Sequence, residues 1–158
     1  MQTMTPHRDH SAEDVLRLGD PKLIIERRQR SVSVRRYLLV AIGGALGAVL
    51  RYFIGVVAAE RFGPRFPVGT LTINISACFL IGFILEYLNH HTGANPAWRY
   101  GFAIGFIGAY STFSTFEWET LVEFNRGAFW IGILYVAVSL IVGLIAVALG
   151  SATARSLA

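Results

Sequence analysis

The most regular feature of the chain is a set of four long apolar windows separated by short polar gaps. The windows fall near residues 37–59, 67–89, 98–124 and 128–150. Each is long enough to cross a hydrocarbon core, which needs about 20 mainly apolar residues. Glycine, proline and asparagine fill the gaps, as expected of turns. The pattern predicts an all-α integral membrane protein with four transmembrane helices.

Composition agrees with a membrane protein, because 54% of the 158 residues are hydrophobic and only 15% are charged. The formal charge of +4 arises mostly in an amino-terminal extension, since eight of the 14 lysines and arginines precede the first apolar window. Such a cluster is typical of membrane orientation and of contact with anionic lipid. No folded basic surface for nucleic acid is predicted.

Three parts of the chain follow from this pattern. Residues 1–36 form a polar basic extension, residues 37–150 the four-helix domain, and residues 151–158 a short tail. The positive charges favour an inside amino terminus. Without the extension, the loops are nearly balanced in charge, which is typical of a subunit that inserts in both orientations.

One face of the first window carries three glycines and an arginine at four-residue spacing. These are Gly43, Gly47, Arg51 and Gly55. The glycines allow another helix to approach closely. We expect the arginine to face the bundle interior or a vestibule, because a charge at this depth needs a partner or water. The alternative is that its side chain snorkels to the membrane surface.

In the second window Thr70 and Asn74 share a helical face. An asparagine offers two N–H donors without a charge, so it can bind an anion that has shed its water and still release it. The alternative is an interhelical hydrogen bond worth about 1 kcal/mol.

The third window combines features that weaken a helix. Gly105 and Gly108 precede a run of hydroxyl residues from Ser111 to Thr115. We expect a break near residues 108–112. Non-helical backbone at membrane depth is tolerated only where it is buried in protein or lines a cavity, and in transporters such unwound carbonyls coordinate ions.

Two phenylalanines follow this expected break. Phe113 and Phe116 project from nearly the same face, and Glu119 continues that face toward a vestibule or the interior. Aromatic rings have a positive edge, so two rings presented edge-on can stabilise a small anion while excluding water. The alternative is ordinary core packing.

The fourth window carries a hydroxyl-bearing track of Tyr135, Ser139 and Gly143 at four-residue spacing. These hydroxyls can relay an ion, or they can satisfy the backbone of a neighbouring helix. Enzyme chemistry is not expected, because the four histidines lie in the extension and one loop, away from any metal-ligand spacing or nucleophile.

Three ordered motifs resemble those of the Fluc (CrcB) fluoride channel family. They are Gly43-Gly44 with Gly47-Ala48 and Arg51-Tyr52, then Gly69-Thr70 with Asn74, Phe79 and Gly82, then Gly105 and Gly108 leading to Ser111-Thr112-Phe113-Ser114-Thr115-Phe116. The resemblance covers about residues 40–145.

The resemblance implies an antiparallel, dual-topology homodimer in a bacterial-type inner membrane, with two pores that export cytoplasmic fluoride passively. It implies that Asn74 donates hydrogen bonds to fluoride and that Phe113 and Phe116 form the pore wall. It also implies that Ser114 lies beside the pathway and that Tyr135 and Ser139 form the polar track. The carbonyls of Gly108 and Ser111 are implied as ligands of a structural sodium ion. Vestibule or assembly positions are implied for Arg51, Thr70 and Glu119. No organic cofactor is implied.

This chain departs from the family pattern at Ala77 and Ala109, where the family has glycine, and at Ser111, where it has threonine. The basic extension favours one orientation, so a heterodimer with an oppositely oriented paralogue remains a possible assembly.

The alternative function is a small dual-topology multidrug/proton antiporter. An antiporter of this kind predicts a carboxylate in the first helix, and none lies between Tyr37 and Ala59. A scaffold protein that transports nothing is a further alternative.

Overall fold

The computed structural model describes residues 21–63, 66–91 and 93–157, with side chains from residue 33 onward. Residues 1–20 of the predicted extension lie outside this description. The helices are α1 Pro21–Phe62, α2 Val68–His90, a π-helix Trp98–Ile107 that continues into one α-helical turn Gly108–Tyr110, α3 Phe113–Asn125 and α4 Phe129–Ser156.

Three of these helices are long and apolar enough to cross a membrane. They are Ser33–Phe62 within α1, all of α2 and all of α4. The third predicted window holds the π-helix and α3, so it is not one continuous helix. The predicted all-helical fold is confirmed, and three of the four predicted windows hold a helix long and apolar enough to cross a membrane.

Two helix ends differ from the predicted window bounds. Within the described residues α1 extends back to Pro21, well before the predicted window start at residue 37. α4 runs to Ser156, past the expected end at residue 150. Ser151 in this added stretch donates a hydrogen bond to Glu86 of α2 at 2.9 Å, which ties the two helix ends together.

The chain divides into two units, Met1–Arg35 and Arg36–Ala158. In the first unit the described part, from residue 21 onward, is helical. The second unit contains the helical bundle, and everything below concerns it.

Helices α2 and α4 pack backbone against backbone. A Cβ added to Gly82 would overlap the carbonyl oxygen of Val147, and one added to Gly150 would overlap the carbonyl oxygen of Phe79. Small residues permit such close approach in membranes, where packing rather than the hydrophobic effect drives helix association. The two glycines therefore set the distance between α2 and α4.

Gly43 and Gly47 of α1 pack against the π-helix in the same way. A Cβ on Gly43 would overlap the carbonyl oxygen of Gly101, and one on Gly47 would overlap that of Phe106. The other side of the π-helix contributes Ala103 and Ile107 to the buried core that it shares with α2. The π-helix is thus held between α1 and α2.

The polypeptide is extended where the π-helical segment meets α3. Ser111 has φ −72° and ψ 159°, and Thr112 has φ −149° and ψ 119°. Thr112 is the N-cap of α3, since its Oγ1 accepts a hydrogen bond from the backbone N–H of Thr115 at 3.3 Å. A threonine N-cap stabilises the start of the new helix.

Candidate functional site

An asparagine from α2 holds the extended segment from both sides. The Oδ1 atom of Asn74 accepts the backbone N–H of Thr112 at 2.9 Å. Its Nδ2 group donates to the carbonyl oxygen of Thr112 at 3.0 Å. This is the interhelical hydrogen bonding that the sequence left as an alternative. An amide has two N–H donors, so one remains for another acceptor.

Two backbone N–H groups near this segment donate to side chains instead of to helical carbonyl oxygens. In a continuous α-helix, Gly108 would accept from the N–H of Thr112, and Ser111 from the N–H of Thr115. The N–H of Thr112 instead donates to Asn74, and the N–H of Thr115 donates to Thr112 Oγ1. The carbonyls of Gly108 and Ser111, the two proposed sodium ligands, therefore lack their α-helical donors.

An open pocket of about 330 Å³ lies at this segment. Its polar lining comes from α2 and from the extended segment, and an aromatic ring from α3 completes it. The relevant lining residues are Asn74, Gly108, Ser111, Thr112 and Phe113. The structure therefore brings four of the predicted site residues, together with Thr112, around one cavity.

The two phenylalanines of α3 occupy different environments. Phe113 is 73% exposed, whereas Phe116 is 6% exposed. Their ring centroids are 5.9 Å apart with planes at 43°. Phe116 packs against the ring of Tyr135, with centroids 5.0 Å apart. On this chain Phe113 lies at the surface of the bundle, and Phe116 lies in its interior.

A carboxylate joins three helices beside Phe116. Thr70 of α2 donates to one oxygen of Glu119 at 2.8 Å, and Tyr135 of α4 donates to the other at 2.8 Å. Tyr135 is fully buried, and its ring meets that of Phe66 edge to face at 5.6 Å. We call Thr70, Glu119 and Tyr135 the carboxylate cluster.

The carboxylate cluster opens into a vestibule of about 360 Å³ near the carboxyl end of α1. Thr70, Glu119 and Trp118 line it, together with the ion pair between Arg126 and the buried Glu123 at 3.4 Å. The vestibule is thus a largely apolar cavity with a few polar groups, and it reaches Thr70 of α2 and Glu119 of α3.

Three predicted residues lie outside these contacts. The Oγ atom of Ser139 is buried and has no hydrogen-bond partner among the described residues. Ser114 is exposed on α3. Arg51 is half-buried on α1 and lines neither cavity, and within the described part of the chain it forms no ion pair.

Two residues of the site had no role predicted from the sequence. Thr112 caps α3 and binds Asn74, and Phe66 covers the ring of Tyr135. A hydroxyl residue just before an apolar helix is a recognisable N-cap signal, so Thr112 had a local signature. Phe66 lies in a loop, and no local pattern connects it with α4.

The long apolar helices define an all-α, multi-pass membrane protein with an interrupted third segment. Residues 38–151 match the family model described as CrcB-like protein, Camphor Resistance (CrcB). The chain therefore belongs to the CrcB-like family.

Curated relatives agree with this assignment. A protein of Acidobacterium capsulatum is 53% identical over 115 residues, covering 73% of this chain and 92% of the relative. A protein of Solibacter usitatus is 43% identical over 120 residues, covering 76% and 98%. A third, from Rhizobium meliloti, is 41% identical over 120 residues, covering 76% and 96%. All three are named fluoride-specific ion channel FluC.

Proposed function

We propose that this chain is a fluoride-selective channel that lets cytoplasmic fluoride leave passively through the inner membrane. Membership of the CrcB-like family and the names of the relatives support this function. The observation that carries it is the extended segment at Ser111 and Thr112, held by Asn74 beside the exposed ring of Phe113. Hydrogen fluoride enters cells as a neutral acid and dissociates, and the trapped anion leaves through the channel.

Fluoride sheds its strongly held water only where other donors replace it. The second N–H of Asn74 is one such donor, because only one is used by Thr112. The positive edge of the Phe113 ring is another. Both groups are uncharged, so they stabilise the anion without trapping it. Ser114, Phe116 and the hydroxyls of Tyr135 and Ser139 continue this path in the proposal.

A sodium ion is the proposed structural partner of the extended segment. The carbonyls of Gly108 and Ser111 fit this role, because the N–H groups that would reach them in an α-helix donate elsewhere. Carbonyl oxygens at unwound helices are suitable ligands for alkali cations. When bound, the ion supplies a fixed positive charge close to the anion path and neutralises these carbonyl dipoles.

The functional unit in the proposal is an antiparallel dimer with two pores. Phe113 is exposed on the surface of one chain, so a single copy supplies only one wall of a path there. A second copy in the opposite orientation supplies the other wall. The basic extension favours one orientation, so a paralogue of opposite orientation is the alternative partner.

Fluoride efflux from proteoliposomes tests the function. We expect rapid fluoride efflux, with chloride efflux much slower and no requirement for a proton gradient. Efflux that depends on a proton gradient would favour the antiporter, and equal rates for both anions would contradict selectivity.

Two variants test the site, and a second phenylalanine on α3 provides the matched control for Phe113. We expect Asn74→Ala and Phe113→Ile to abolish fluoride efflux while the dimer persists on gel filtration. Phe124→Ile serves as the control, because its ring packs on Phe129 away from both cavities. Wild-type efflux in Phe113→Ile would overturn the assigned pore wall.

A further inference from the structure

A third pocket lies at the opposite end of α2 from the vestibule. It has a volume of about 420 Å³. Arg36 contributes to it from α1, Asn89 from the end of α2, and Arg99 and Tyr100 from the start of the π-helix; His91 and Asn95 of the connecting loop complete its polar lining. None of its lining residues belongs to the other two cavities. It is therefore separate from the proposed fluoride path.

The polar side chains that line this pocket can all donate hydrogen bonds, and each is either basic or uncharged. Arg36 and Arg99 each bring a guanidinium, and no acidic residue is among the described residues that line the cavity. Asn95 accepts the backbone N–H of Ala97 with its Oδ1 at 2.9 Å, so its NH₂ group is left to donate elsewhere. This combination suits an anion with several acceptor oxygens.

One of the two arginines is already held in position. The guanidinium carbon of Arg36 lies 4.8 Å from the centroid of the Tyr100 ring. Such a cation–π contact orients the planar guanidinium and leaves the N–H donors in the guanidinium plane free to bind an acceptor. Less side-chain freedom is then lost when an anion binds, which favours binding.

Exposed aromatic side chains beside the pocket indicate its depth relative to the membrane. Tyr37 and Trp98, each next to a pocket arginine in sequence, are 74% and 51% exposed. Tyrosine and tryptophan concentrate where the hydrocarbon core meets the headgroups. The pocket therefore lies at headgroup level, and in a copy whose amino terminus is inside it faces the cytoplasm.

We propose that this pocket binds the phosphate of an anionic lipid headgroup. Basic pockets between transmembrane helices at the cytoplasmic surface are suited to such lipids. Arg36 precedes residues 38–151, which the family model matches, so part of the site lies in the basic extension. A free phosphate ion offers the same chemistry and is distinguished by experiment.

The test uses tryptophan fluorescence quenching by brominated lipids. In a Trp118→Phe, Trp130→Phe background, Trp98 is the sole tryptophan and adjoins Arg99. We expect brominated phosphatidylglycerol to quench it at lower lipid fraction than brominated phosphatidylcholine. Each of Arg36→Gln and Arg99→Gln should lower that preference roughly fivefold, as expected for one basic residue near a charged surface. The double variant should abolish it.

A matched control separates the pocket from general surface charge. Arg61 is exposed in the last turn of α1, at the other end of the helix that carries Arg36. Arg61→Gln should leave the lipid preference unchanged. Equal losses in Arg61→Gln and in the pocket variants would overturn the proposal. Fluoride efflux from the double variant verifies that it folds; otherwise the single variants decide the result.

A second titration identifies the source of the phosphate. Inorganic phosphate is added to the protein in nonionic detergent, and Trp98 emission is followed. Saturable binding lost in the double variant, without any preference for phosphatidylglycerol, would support the phosphate site and assign it to the free ion. Absence of both the lipid preference and phosphate binding would refute the site.

Discussion

Replacing Tyr135 with phenylalanine isolates one hydrogen bond of the carboxylate cluster. Tyr135 is fully buried, and its ring packs against those of Phe66 and Phe116. Tyr135→Phe keeps these ring contacts and removes only the hydroxyl, which donates to Glu119 at 2.8 Å. Glu119 then keeps one hydroxyl donor, from Thr70.

The expected loss follows from two bounds. A hydrogen bond to a charged group contributes about 1.5–3 kcal/mol in soluble proteins. Interhelical hydrogen bonds measured inside membranes average only about 0.6 kcal/mol, with a maximum near 1.7 kcal/mol. Since Glu119 lines the vestibule and keeps its bond from Thr70, we expect Tyr135→Phe to lower the free energy of unfolding by about 1–2 kcal/mol.

A double-mutant cycle with Glu119→Met attributes that loss to the bond. Methionine has a similar length and no strong acceptor, so the hydroxyl of Tyr135 is left without its partner. In this background Tyr135→Phe removes an unsatisfied hydroxyl, and it should be neutral or stabilising. The free energy of unfolding is measured in lipid bicelles by steric trapping for all four proteins.

The outcome depends on the sign of the stability change that Tyr135→Phe causes in the Glu119→Met protein. If Tyr135→Phe destabilises the Glu119→Met protein as much as the wild type, the effect comes from packing or solvation of the ring. The hydrogen bond would then contribute nothing, and the carboxylate cluster would not be a coupled unit.

Three further substitutions have defined outcomes. Gly82→Ala should lower the free energy of unfolding by about 1–3 kcal/mol through overlap with the Val147 carbonyl, whereas Gly55→Ala, with open space around its Cβ, should not; equal effects would contradict the packing of α2 on α4. Thr112→Val should cost about 1 kcal/mol through the lost N-cap and speed amide exchange in the first turn of α3; unchanged exchange would contradict the cap. Ser139→Ala should leave stability unchanged or higher, because the buried hydroxyl lacks a partner in the described chain, yet slow fluoride efflux; normal efflux would remove Ser139 from the path.

Hydrophobic length made the membrane fold predictable, because a bilayer sets the number of apolar residues that a spanning helix needs. Packing of glycine faces was predictable for a similar reason, since four-residue spacing places Gly43 and Gly47 on one side of α1. The helix bounds were less predictable. At neither Pro21 nor Ser156 does the hydropathy of the chain change enough to mark a bound of the helix.

Contacts between distant residues are what the sequence leaves open. Thr70, Glu119 and Tyr135 lie on three helices, and no spacing rule relates them. Likewise Phe113 and Phe116 share a helix face in the sequence pattern, yet one is exposed and the other is buried. Burial depends on which neighbouring helix covers each ring.

By itself, the sequence determined that this chain crosses the membrane through helices and where glycines allow helices to pack closely. It also determined which residue types are available to bind an anion. These properties follow from local periodicity and from the bilayer as solvent. Only the tertiary structure decided that Asn74 forms hydrogen bonds with both the N–H and the C=O of Thr112. It also decided that the N–H groups expected to donate to Gly108 and Ser111 donate to side chains instead. The reason is that a hydrogen bond requires two groups within about 3 Å, and helix packing alone brings α2 to that distance from the extended segment.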